Sequence, residues 1–162
     1  MLRSTPPDLG NVVHFEHVNY RVPDHRTATL YFIEGLGLTR DPYRMVGTSN
    51  MWVNVGTQQF HLPIGEPSVL PGEVGVVLPE LDRVRKNLGQ IAPALAGTAF
   101  AWQPEGETIL VTTPWGHRQR LHPQGMLPGL YPLALPYVEF WVPPGTAAGI
   151  GAFYAEYLGC PV

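Results

Sequence analysis

Cysteine, charge and long apolar runs are all scarce in this chain, and each scarcity excludes a class of protein. The one cysteine, Cys160, cannot form an internal disulfide framework. Charged residues make up 14% of the sequence and the formal net charge is -3, so there is no basic surplus for a phosphate backbone. No apolar run approaches the roughly 20 residues that span a bilayer, and the N-terminal stretch lacks the apolar core of a secretion signal. We therefore expect a soluble, cytoplasmic protein that binds neither nucleic acid nor membrane.

Glycine and proline, in contrast, are plentiful, with 18 of each spread along the 162 residues. This distribution indicates many short elements joined by turns rather than one low-complexity linker. With 44% hydrophobic residues, the chain is long enough to build one compact unit with a real core.

The strongest internal signal is a repeat of one strand-and-helix unit. The segment HVNYRVPDHRTATLYFIEGLGL, His17 to Leu38, is echoed by YVEFWVPPGTAAGIGAFYAEYLGCPV, Tyr137 to Val162. In both, alternating apolar residues precede a proline, two adjacent aromatic residues follow, and a Leu-Gly pair ends the similarity. A weaker copy, Glu73 to Gly89, lies between them. Each copy predicts a strand, a turn and a helix that ends at glycine.

Further strand-like segments follow the first two copies. TRDPYRMV, MWVNVG and QQFHLPIG come after the first, and TAFAWQ, ETILVTT and HRQRLH come after the second. Each of these copies therefore predicts a βαβββ module. We place the paired modules at residues 12–123, with module one at 12–66 and module two at 72–123. Residues 135–162 are the opening strand and helix of an incomplete third module.

Period-two alternation assigns the faces of the predicted strands. In the first strand, Val18, Tyr20 and Val22 lie opposite His17, Asn19 and Arg21. The stretch TPWGHRQRLHPQ, residues 113–124, likewise puts Arg118, Arg120 and His122 on one face of a strand. Three cationic or titratable side chains on one face indicate a solvated surface, an anion site or an altered site of another kind.

The motifs HVNYRVPD, YFIEGLGL and TPWGHRQRL, together with the repeat, resemble the vicinal-oxygen-chelate superfamily. That superfamily includes glyoxalase I, extradiol dioxygenases and bleomycin- and fosfomycin-resistance proteins. The resemblance implies an α+β fold in which paired βαβββ modules form a curled sheet around a cleft. Helices would pack on the outer faces, and a small molecule would bind in the cleft.

In metal-dependent members of that superfamily, each module supplies one ligand near the start of its first strand and one on its last strand. Carried over to this sequence, these positions fall on His17 and His61 in module one and on Glu73 and Arg120 in module two. Arg120 stands where the superfamily has a glutamate, and a guanidinium has no lone pair with which to bind a cation. The resemblance therefore implies that the four-ligand site is altered.

Two interpretations of this altered site stay open. In one, His17, His61 and Glu73 hold a divalent metal, Fe, Zn, Ni or Mn, with open coordination positions, and Arg120 holds an anionic substrate beside it. In the other there is no metal, Glu73 and Arg120 form a salt bridge, and the histidines line the cleft. Because an arginine is repelled by a metal ion and attracted by a carboxylate, we favour the metal-free interpretation.

We expect a small anionic molecule in the cleft, because arginine binds carboxylates and phosphonates bidentately. The candidate substrate-binding residues are Arg120, Arg118, His122 and Arg21. The alternative function is a metal-dependent lyase or extradiol-type dioxygenase that uses the three metal candidates, and a regulatory domain would need neither metal nor ligand. The sequence assigns no catalytic residue, and fold does not fix function, so whether the protein is an enzyme stays open.

The incomplete third module favours association with another chain, because a lone strand and helix bury little and expose a strand edge. We interpret the chain as a piece of a longer protein and expect a homodimer. In the superfamily that the sequence resembles, the cleft forms either within one chain or between two, and the sequence does not choose.

Other candidates receive structural interpretations. His14, His25 and His117 fall on predicted loops or strand ends, where we expect solvated side chains. Trp52, Trp102 and Trp115 either line the cleft or pack in the core. The carboxylates of Glu80 and Asp82 are expected to stabilise the start of a helix.

Overall fold

The computed structural model describes residues 12, 14–44, 48–127 and 131–162. The chain divides into two compact units, of which the larger spans Glu16–Phe140 and the smaller includes Trp141–Val162. The larger unit contains two βαβββ modules, so the predicted α+β fold of paired modules is confirmed. The predicted residues Met45 and Val46 of the segment TRDPYRMV lie outside the described residues.

Module one forms a four-stranded sheet, sheet one, in the order β1-β4-β3-β2. Its strands are β1 (His17–Asn19), β2 (Thr39–Arg40), β3 (Asn50–Val55) and β4 (Gln58–Pro63). β1 runs parallel to β4, and the other neighbours are antiparallel. The register sets Asn19 beside His61 and His61 beside Trp52, which puts these three side chains on one face.

The helix of module one, α1, begins as an α-helical turn, His25–Ala28, and continues as a π-helix, Thr29–Gly35. Asp24 caps its start by accepting a hydrogen bond from the backbone N–H of Thr27 at 2.7 Å. At its end, the N–H of Leu36 reaches back five residues to the carbonyl of Tyr31 at 3.0 Å. The sequence predicted a helix here and gave no sign of its π-helical part.

Module two repeats this order in a five-stranded sheet, sheet two, with the order β6-β7-β8-β5-β9. Its elements are β5 (Gly72–Leu78), helix α2 (Leu81–Ile91, extended by a 3₁₀ turn, Ala92–Leu95), β6 (Ala101–Glu105), β7 (Thr108–Thr112) and β8 (Arg118–Pro123). Glu80 occupies the N-cap position of α2 without a side-chain capping hydrogen bond, and Asp82 lies in the first turn, where its charge favours the helix dipole.

The third copy of the repeat forms the predicted strand and helix. β9 (Val138–Phe140) pairs antiparallel with β5, so it becomes the edge of sheet two. In the smaller unit, α3 (Ala147–Leu158) ends at Gly159, whose φ of 64° is the left-handed conformation that favours glycine at a helix end. No residue of α3 is buried. The apolar side chains of α3 are therefore not buried, whereas those at the matching positions of α1 are.

The two modules share one hydrophobic core, formed between the helix-facing sides of their sheets. Tyr20, which directly follows β1, stacks on His117 with ring centroids 3.9 Å apart. Tyr31 of α1 donates a hydrogen bond of 2.6 Å to Oε1 of Gln119, on the helix side of β8. Phe32 stacks on Trp115 at 6.1 Å. Full burial of each such aromatic residue contributes about 2–3 kcal/mol.

This packing fixes where the other face of each sheet lies. Since α1 and the helix sides of both sheets meet in one core, the polar face of each sheet lies on the side away from that core. The polar face of sheet one is formed by His17, Asn19, Asn50, Trp52, Asn54, Gln59 and His61. The polar face of sheet two is formed by Glu73, Gly75, Gln103, Glu105, Leu110, Thr112, Arg118, Arg120 and His122.

Candidate functional site

The polar face of sheet one carries a group of stacked rings. The imidazole of His61 lies flat on the indole of Trp52, with centroids 4.0 Å apart and planes 10° apart. The ring of His17 meets Trp52 edge-on at 5.2 Å and lies 6.0 Å from the ring of His61. Arg44 places its guanidinium carbon 5.0 Å from the centre of the Trp52 ring. The two histidines that the sequence singled out therefore lie side by side.

Amide side chains hold His61 in one orientation. Its Nε2 lies 3.1 Å from Oδ1 of Asn50, and its Nδ1 lies 3.4 Å from Nδ2 of Asn19. An amide oxygen accepts and an amide nitrogen donates, so the neutral imidazole with its proton on Nε2 satisfies both contacts. Partial burial and the nearby His17 lower the pKa of His61, which favours this neutral form.

His17 is held from its other side by a carboxylate. Its Nδ1 forms an ion-pair contact with Glu16, which also accepts a hydrogen bond of 3.1 Å from Arg44. These two contacts keep the pKa of Glu16 below its usual range. The imidazole is thereby oriented with Nε2 away from the carboxylate, and its side chain is 35% exposed.

The polar face of sheet two is built around a guanidinium held between two carboxylates. Arg120 donates to Glu73 through Nε at 2.7 Å and through one terminal nitrogen at 3.2 Å, and its other terminal nitrogen donates to Glu105 at 2.8 Å. Thr108 Oγ1 lies 3.4 Å from that second nitrogen. Glu73 is only 6% exposed. This geometry is the bidentate pairing that makes arginine–carboxylate contacts strong.

The charges on this face largely cancel. The hydrogen bonds that Arg120 donates to Glu73, and then the one to Glu105, raise the pKa of Arg120 further above its usual range. The same contact with Arg120 lowers the pKa of Glu105. Arg118 lies 3.9 Å from Oε2 of Glu73, so two arginines face two carboxylates. An arginine bonded in this way remains a cation at any usual pH.

Tyr137 completes the network from the edge of the sheet. Its ring lies over Gly75, where an added Cβ would come within 2.5 Å of Cε1. Its hydroxyl donates to Glu73 at 3.3 Å and accepts from Nε2 of His122 at 3.0 Å. Burial, then the charge of Glu73, raises the pKa of Tyr137 to about 12, so it stays a phenol. Burial, then the neighbouring Arg120, lowers the pKa of His122.

The structure brings some of the predicted site residues together and separates others. Of the candidate metal ligands, His17 and His61 adjoin on sheet one, whereas Glu73 lies on sheet two with both carboxylate oxygens bonded to Arg120. Within the described ranges, no group of three or more His, Cys, Asp or Glu side chains is placed to hold a metal ion.

The candidate substrate-binding residues are divided in the same way. Arg118, Arg120 and His122 share the polar face of sheet two, opposite Glu73, Gly75 and Val77 of β5. Arg21 belongs to module one, where its side chain packs against Gly65. It is therefore not part of the group around Arg120.

Sequence reasoning missed Glu105 and Tyr137, which together hold Arg120, Glu73 and His122. Glu105 is the last residue of β6, and the strand register sets it opposite Thr108. The short turn at Gly106 and Glu107 was the available signal, because a two-residue turn fixes which residues face each other. Tyr137 had no such local signal, since its contacts depend on β9 pairing with β5.

His117 corrects the expectation of a solvated histidine. Its side chain is 1% exposed because Tyr20 stacks on it inside the core shared by the two modules. Burial lowers the pKa of His117 to about 4, so it is neutral at pH 7. Trp115 is also a core residue, at 9% exposure, whereas Trp52 lies on a polar face.

None of the described helices combines the length and hydropathy that a bilayer crossing requires.

Comparison with solved structures places the fold. The fosfomycin resistance protein FosX from Mesorhizobium loti has 13% identity and a TM-score of 0.53, over 71% of this chain and 95% of that chain. FosX from Listeria monocytogenes has 12% identity and a TM-score of 0.56, over 71% and 94%. A possible glyoxalase from Bacillus cereus has 19% identity and a TM-score of 0.50, over 68% and 99%.

These neighbours are members of the vicinal-oxygen-chelate superfamily, so the resemblance read from the sequence is confirmed at the level of the fold. The similarity covers nearly the whole of each neighbour and leaves more than a quarter of this chain outside it. No family model and no curated protein matches the chain.

Proposed function

We propose that this chain is a small-molecule binding domain that takes a small anion on the polar face of sheet two and needs no metal at residue 120. The observation that carries the proposal is the guanidinium of Arg120 bonded between Glu73 and Glu105. In the residue-by-residue transfer, this is where the superfamily's last metal ligand would lie. A tethered cation there joins strands β5, β6 and β8, bonds both oxygens of Glu73 and repels a metal ion.

The ligand class draws support from a neighbour. A FosX structure from Listeria monocytogenes is a complex with Mn(II) and 1S,2S-dihydroxypropylphosphonic acid, a small anion. We carry over the preference for a small carboxylate or phosphonate and leave out the metal. Arginine is the side chain that binds such anions bidentately, and Arg118 and Arg120 both lie on the polar face of sheet two.

We further propose that the functional form is a homodimer. The helix sides of both modules are used within one chain, so a cleft with two polar walls needs a second copy to supply the opposite wall. The third copy adds apolar surface: Phe153 and Tyr154 are 52% and 47% exposed, whereas their counterparts Tyr31 and Phe32 are fully buried. Residues 135–162 keep their interpretation as the opening of a third module.

Sedimentation tests the assembly. A dimer at tens of micromolar is expected, since an interface of standard size holds at that concentration. A monomer across this range would contradict the two-chain cleft. The double variant Phe153→Ser with Tyr154→Ser separates the two surfaces: dimerisation retained by this variant assigns the interface to the polar faces, and dimerisation lost assigns it to α3.

The alternative function is a metal-dependent lyase or extradiol-type dioxygenase that uses His17, His61 and Glu73. The observation in its favour is the 6.0 Å separation of the two imidazole rings on one exposed face. Against it, His61 has both ring nitrogens engaged by amides, and Glu73 lies on the other sheet. The three side chains therefore do not fit one metal ion within a single chain.

Metal analysis of purified protein discriminates between the two functions. The metal-free proposal expects no stoichiometric Fe, Zn, Ni or Mn after dialysis. About one tightly held ion per chain, lost in His61→Ala and kept in the control His14→Ala, would overturn it. His14 is a suitable control because it is exposed and precedes β1.

The variant Arg120→Glu tests whether residue 120 marks the superfamily's metal position. A carboxylate there either raises the affinity for Zn²⁺ or Ni²⁺, or repels Glu73 and lowers the melting temperature when metal is absent. Thermal melts with and without divalent metal separate these results. If the variant melts like the parent under both conditions, the transfer of the metal position to residue 120 is wrong.

A further inference from the structure

The strands that open the first two modules, β1 and β5, differ in how their edges are filled. β5 has a neighbour on each side, since β8 runs parallel to it on one side and β9 antiparallel on the other. β1 pairs with β4, and among the described residues no strand pairs with its outer edge. An open edge presents backbone N–H and C=O groups to which another strand can bind.

The bonds between β1 and β4 show which backbone groups of β1 face the open edge. The N–H groups of Tyr20 and Val22, which follow β1, donate to carbonyls of β4 at 2.9 and 3.0 Å. Successive residues of an extended strand direct their backbone groups to opposite sides. The backbone groups of His17, Asn19 and Arg21 therefore point to the open edge.

In module two the third copy of the repeat bonds the matching groups. Asn19 has the repeat position of Gly75, whose N–H donates to the carbonyl of Tyr137 at 3.1 Å. Two residues further along β5, Val77 exchanges backbone hydrogen bonds with Ala134 at 2.8 and 3.3 Å. The edge that is open in module one is therefore filled in module two, and it is filled by another copy of the opening strand.

The register between β5 and β9 is symmetric about one position of the repeat. Val74 pairs with Val138, and each is the second residue of its copy, since the copies begin at Glu73 and Tyr137. Glu73, a first residue, pairs with Glu139, a third residue. The two strands are thus related by a two-fold rotation through their second residues. A strand can meet an identical strand in such a register, which is the condition for a closed isologous interface.

We infer that the open edge of β1 binds β1 of a second copy of this chain, antiparallel and in the register of β5 and β9. Val18 then meets Val18 of the partner subunit at the two-fold axis, and His17 lies opposite Asn19 of the partner subunit. β1 is the matching strand of the second copy because β5 already has β9 on this side. The inference rests on the proposed homodimer and narrows its interface to one strand edge.

Side chains favour a second β1 over β9 at this edge. Gly75 leaves room for the ring of Tyr137, because a Cβ there would lie 2.5 Å from Cε1 of the tyrosine. Asn19 puts a side chain at the same position, so the ring of Tyr137 would not fit against β1 in this way. In the pair of β1 strands, the smaller imidazole of His17 takes the place of the phenol. An imidazole and an amide can form a hydrogen bond.

The pair spans His17–Asn19 on each strand. At the preceding position β5 has Gly72, where a Cβ would lie 1.9 Å from the carbonyl oxygen of Glu139. β1 has Glu16 there, so its pairing begins one residue later. β9 has the same length of three residues as β1 and pairs with β5.

This pair joins the polar faces of sheet one edge to edge. The two four-stranded sheets become one sheet of eight strands in the order β2-β3-β4-β1-β1-β4-β3-β2. Side chains opposite each other on paired strands share a face, so His17 and His61 of both copies lie on one continuous surface. The second wall of the proposed cleft is then sheet one of the second copy.

Cysteine cross-linking tests the pair in a Cys160→Ser background. Val18→Cys puts two thiols at a non-hydrogen-bonded position, where Cα atoms lie about 4.5 Å apart and a disulfide can form. Oxidised glutathione is expected to link most of these chains into covalent dimers. The geometric control is the double variant Val74→Cys with Val138→Cys, which has thiols at the same repeat positions and should form a disulfide within one chain.

Thr39→Cys is the control for unspecific linking, because Thr39 is exposed on β2 at the opposite edge of sheet one. Equal linking of Thr39→Cys and Val18→Cys would overturn the inference. So would unlinked Val18→Cys chains under conditions in which the disulfide of the geometric control forms. If Val18→Cys chains link to Val74→Cys chains in preference to one another, the partner strand is β5 and the inference is wrong.

Sedimentation of Asn19→Lys tests the same edge without cysteine. A lysine on an edge strand opposes pairing, so the dissociation constant of the dimer should rise at least tenfold. Thr39→Lys is the matched control and should dimerise like the parent.

The remaining results separate this inference from the proposed function. If the parent is a dimer and Asn19→Lys leaves its dissociation constant unchanged, the β1 edge is wrong and the homodimer stands. If the parent is a monomer at tens of micromolar, the homodimer and this inference both fail. Titration of the parent with propylphosphonate tests the small-anion function separately, since that function is placed on sheet two.

Discussion

Replacing Arg120 by glutamine should destabilise the larger unit by about 3 kcal/mol. The change removes two hydrogen bonds to Glu73 and one to Glu105 and leaves the 6% exposed carboxylate of Glu73 without its main cationic partner. Removing one partner of a buried ion pair costs roughly 3–5 kcal/mol. We take the lower end because the Arg120 side chain is 26% exposed, so that solvent screens part of the interaction, and because Tyr137 still donates to Glu73 at 3.3 Å.

Thermal and urea unfolding measure this loss. At roughly 2–4 °C per kcal/mol for a chain of this size, the melting temperature should fall by about 10 °C. The double variant Glu73→Gln with Arg120→Gln should recover much of the loss, since no unpaired buried charge remains. The control Arg83→Gln breaks a surface ion pair with Glu80 in which both side chains are 58% exposed, and it should cost less than about 0.5 kcal/mol.

The double-mutant cycle gives the result that refutes this reasoning. We expect an interaction energy between residues 73 and 120 of about 2 kcal/mol, above the roughly 0.3–0.5 kcal/mol within which independent sites add. If Arg120→Gln costs no more than the Arg83→Gln control and the cycle closes within that limit, the guanidinium does not hold β5, β6 and β8 together. Its role as a tethered replacement for a metal would then be wrong.

Three further changes have definite expected outcomes. Burial lowers the pKa of His117 from its usual 6.5 to about 4. The contribution of His117 to the free energy of unfolding is therefore fully present above pH 6.5 and falls by about 3 kcal/mol as the pH drops toward 4. His117→Phe should flatten this part of the stability–pH curve. Gly75→Ala should cost about 1–3 kcal/mol, because its Cβ would lie 2.5 Å from the ring of Tyr137, and the phenol signal of Tyr137 should shift in the same variant. Tyr31→Phe should cost about 1–2 kcal/mol, because it removes the 2.6 Å bond to the buried Gln119, and urea unfolding measures it.

Much of each module could be predicted from the sequence because the signals are local. Period-two alternation assigned Val18, Tyr20 and Val22 to the buried side of the first strand, and they are at most 9% exposed. The facing of Arg118, Arg120 and His122 followed in the same way. The π-helical part of α1 was missed because no side-chain pattern distinguishes it from an α-helix over a single turn.

The relation between the modules could not be predicted, since it depends on contacts between residues far apart in the chain. Tyr31 and Gln119 are 88 positions apart, and neither residue alone indicates that the helix sides of both sheets meet. The same cause explains the error at His117, which looks like a strand-end residue until Tyr20 covers it. Glu105 and Tyr137 were missed because they reach Arg120 and Glu73 only through strand pairing.

We propose that Arg120 stands at the superfamily's metal position, and this residue changes what the two polar faces can do. A metal ion exchanges ligands and can bind a substrate while it holds carboxylates, whereas a guanidinium offers only donors, and those of Arg120 are already bonded to Glu73 and Glu105. Any proton transfer at such a cleft would therefore depend on the polar face of sheet one, where His17 is exposed and His61 is held neutral by its amide neighbours. Because those histidines and Arg118 lie on separate sheets whose buried sides face each other, one chain cannot apply both to the same ligand. Under the proposed function an active cleft requires two copies, whereas anion binding on the polar face of sheet two requires only one, so anion binding that persists in a monomeric variant would assign this protein a binding role that does not depend on catalysis.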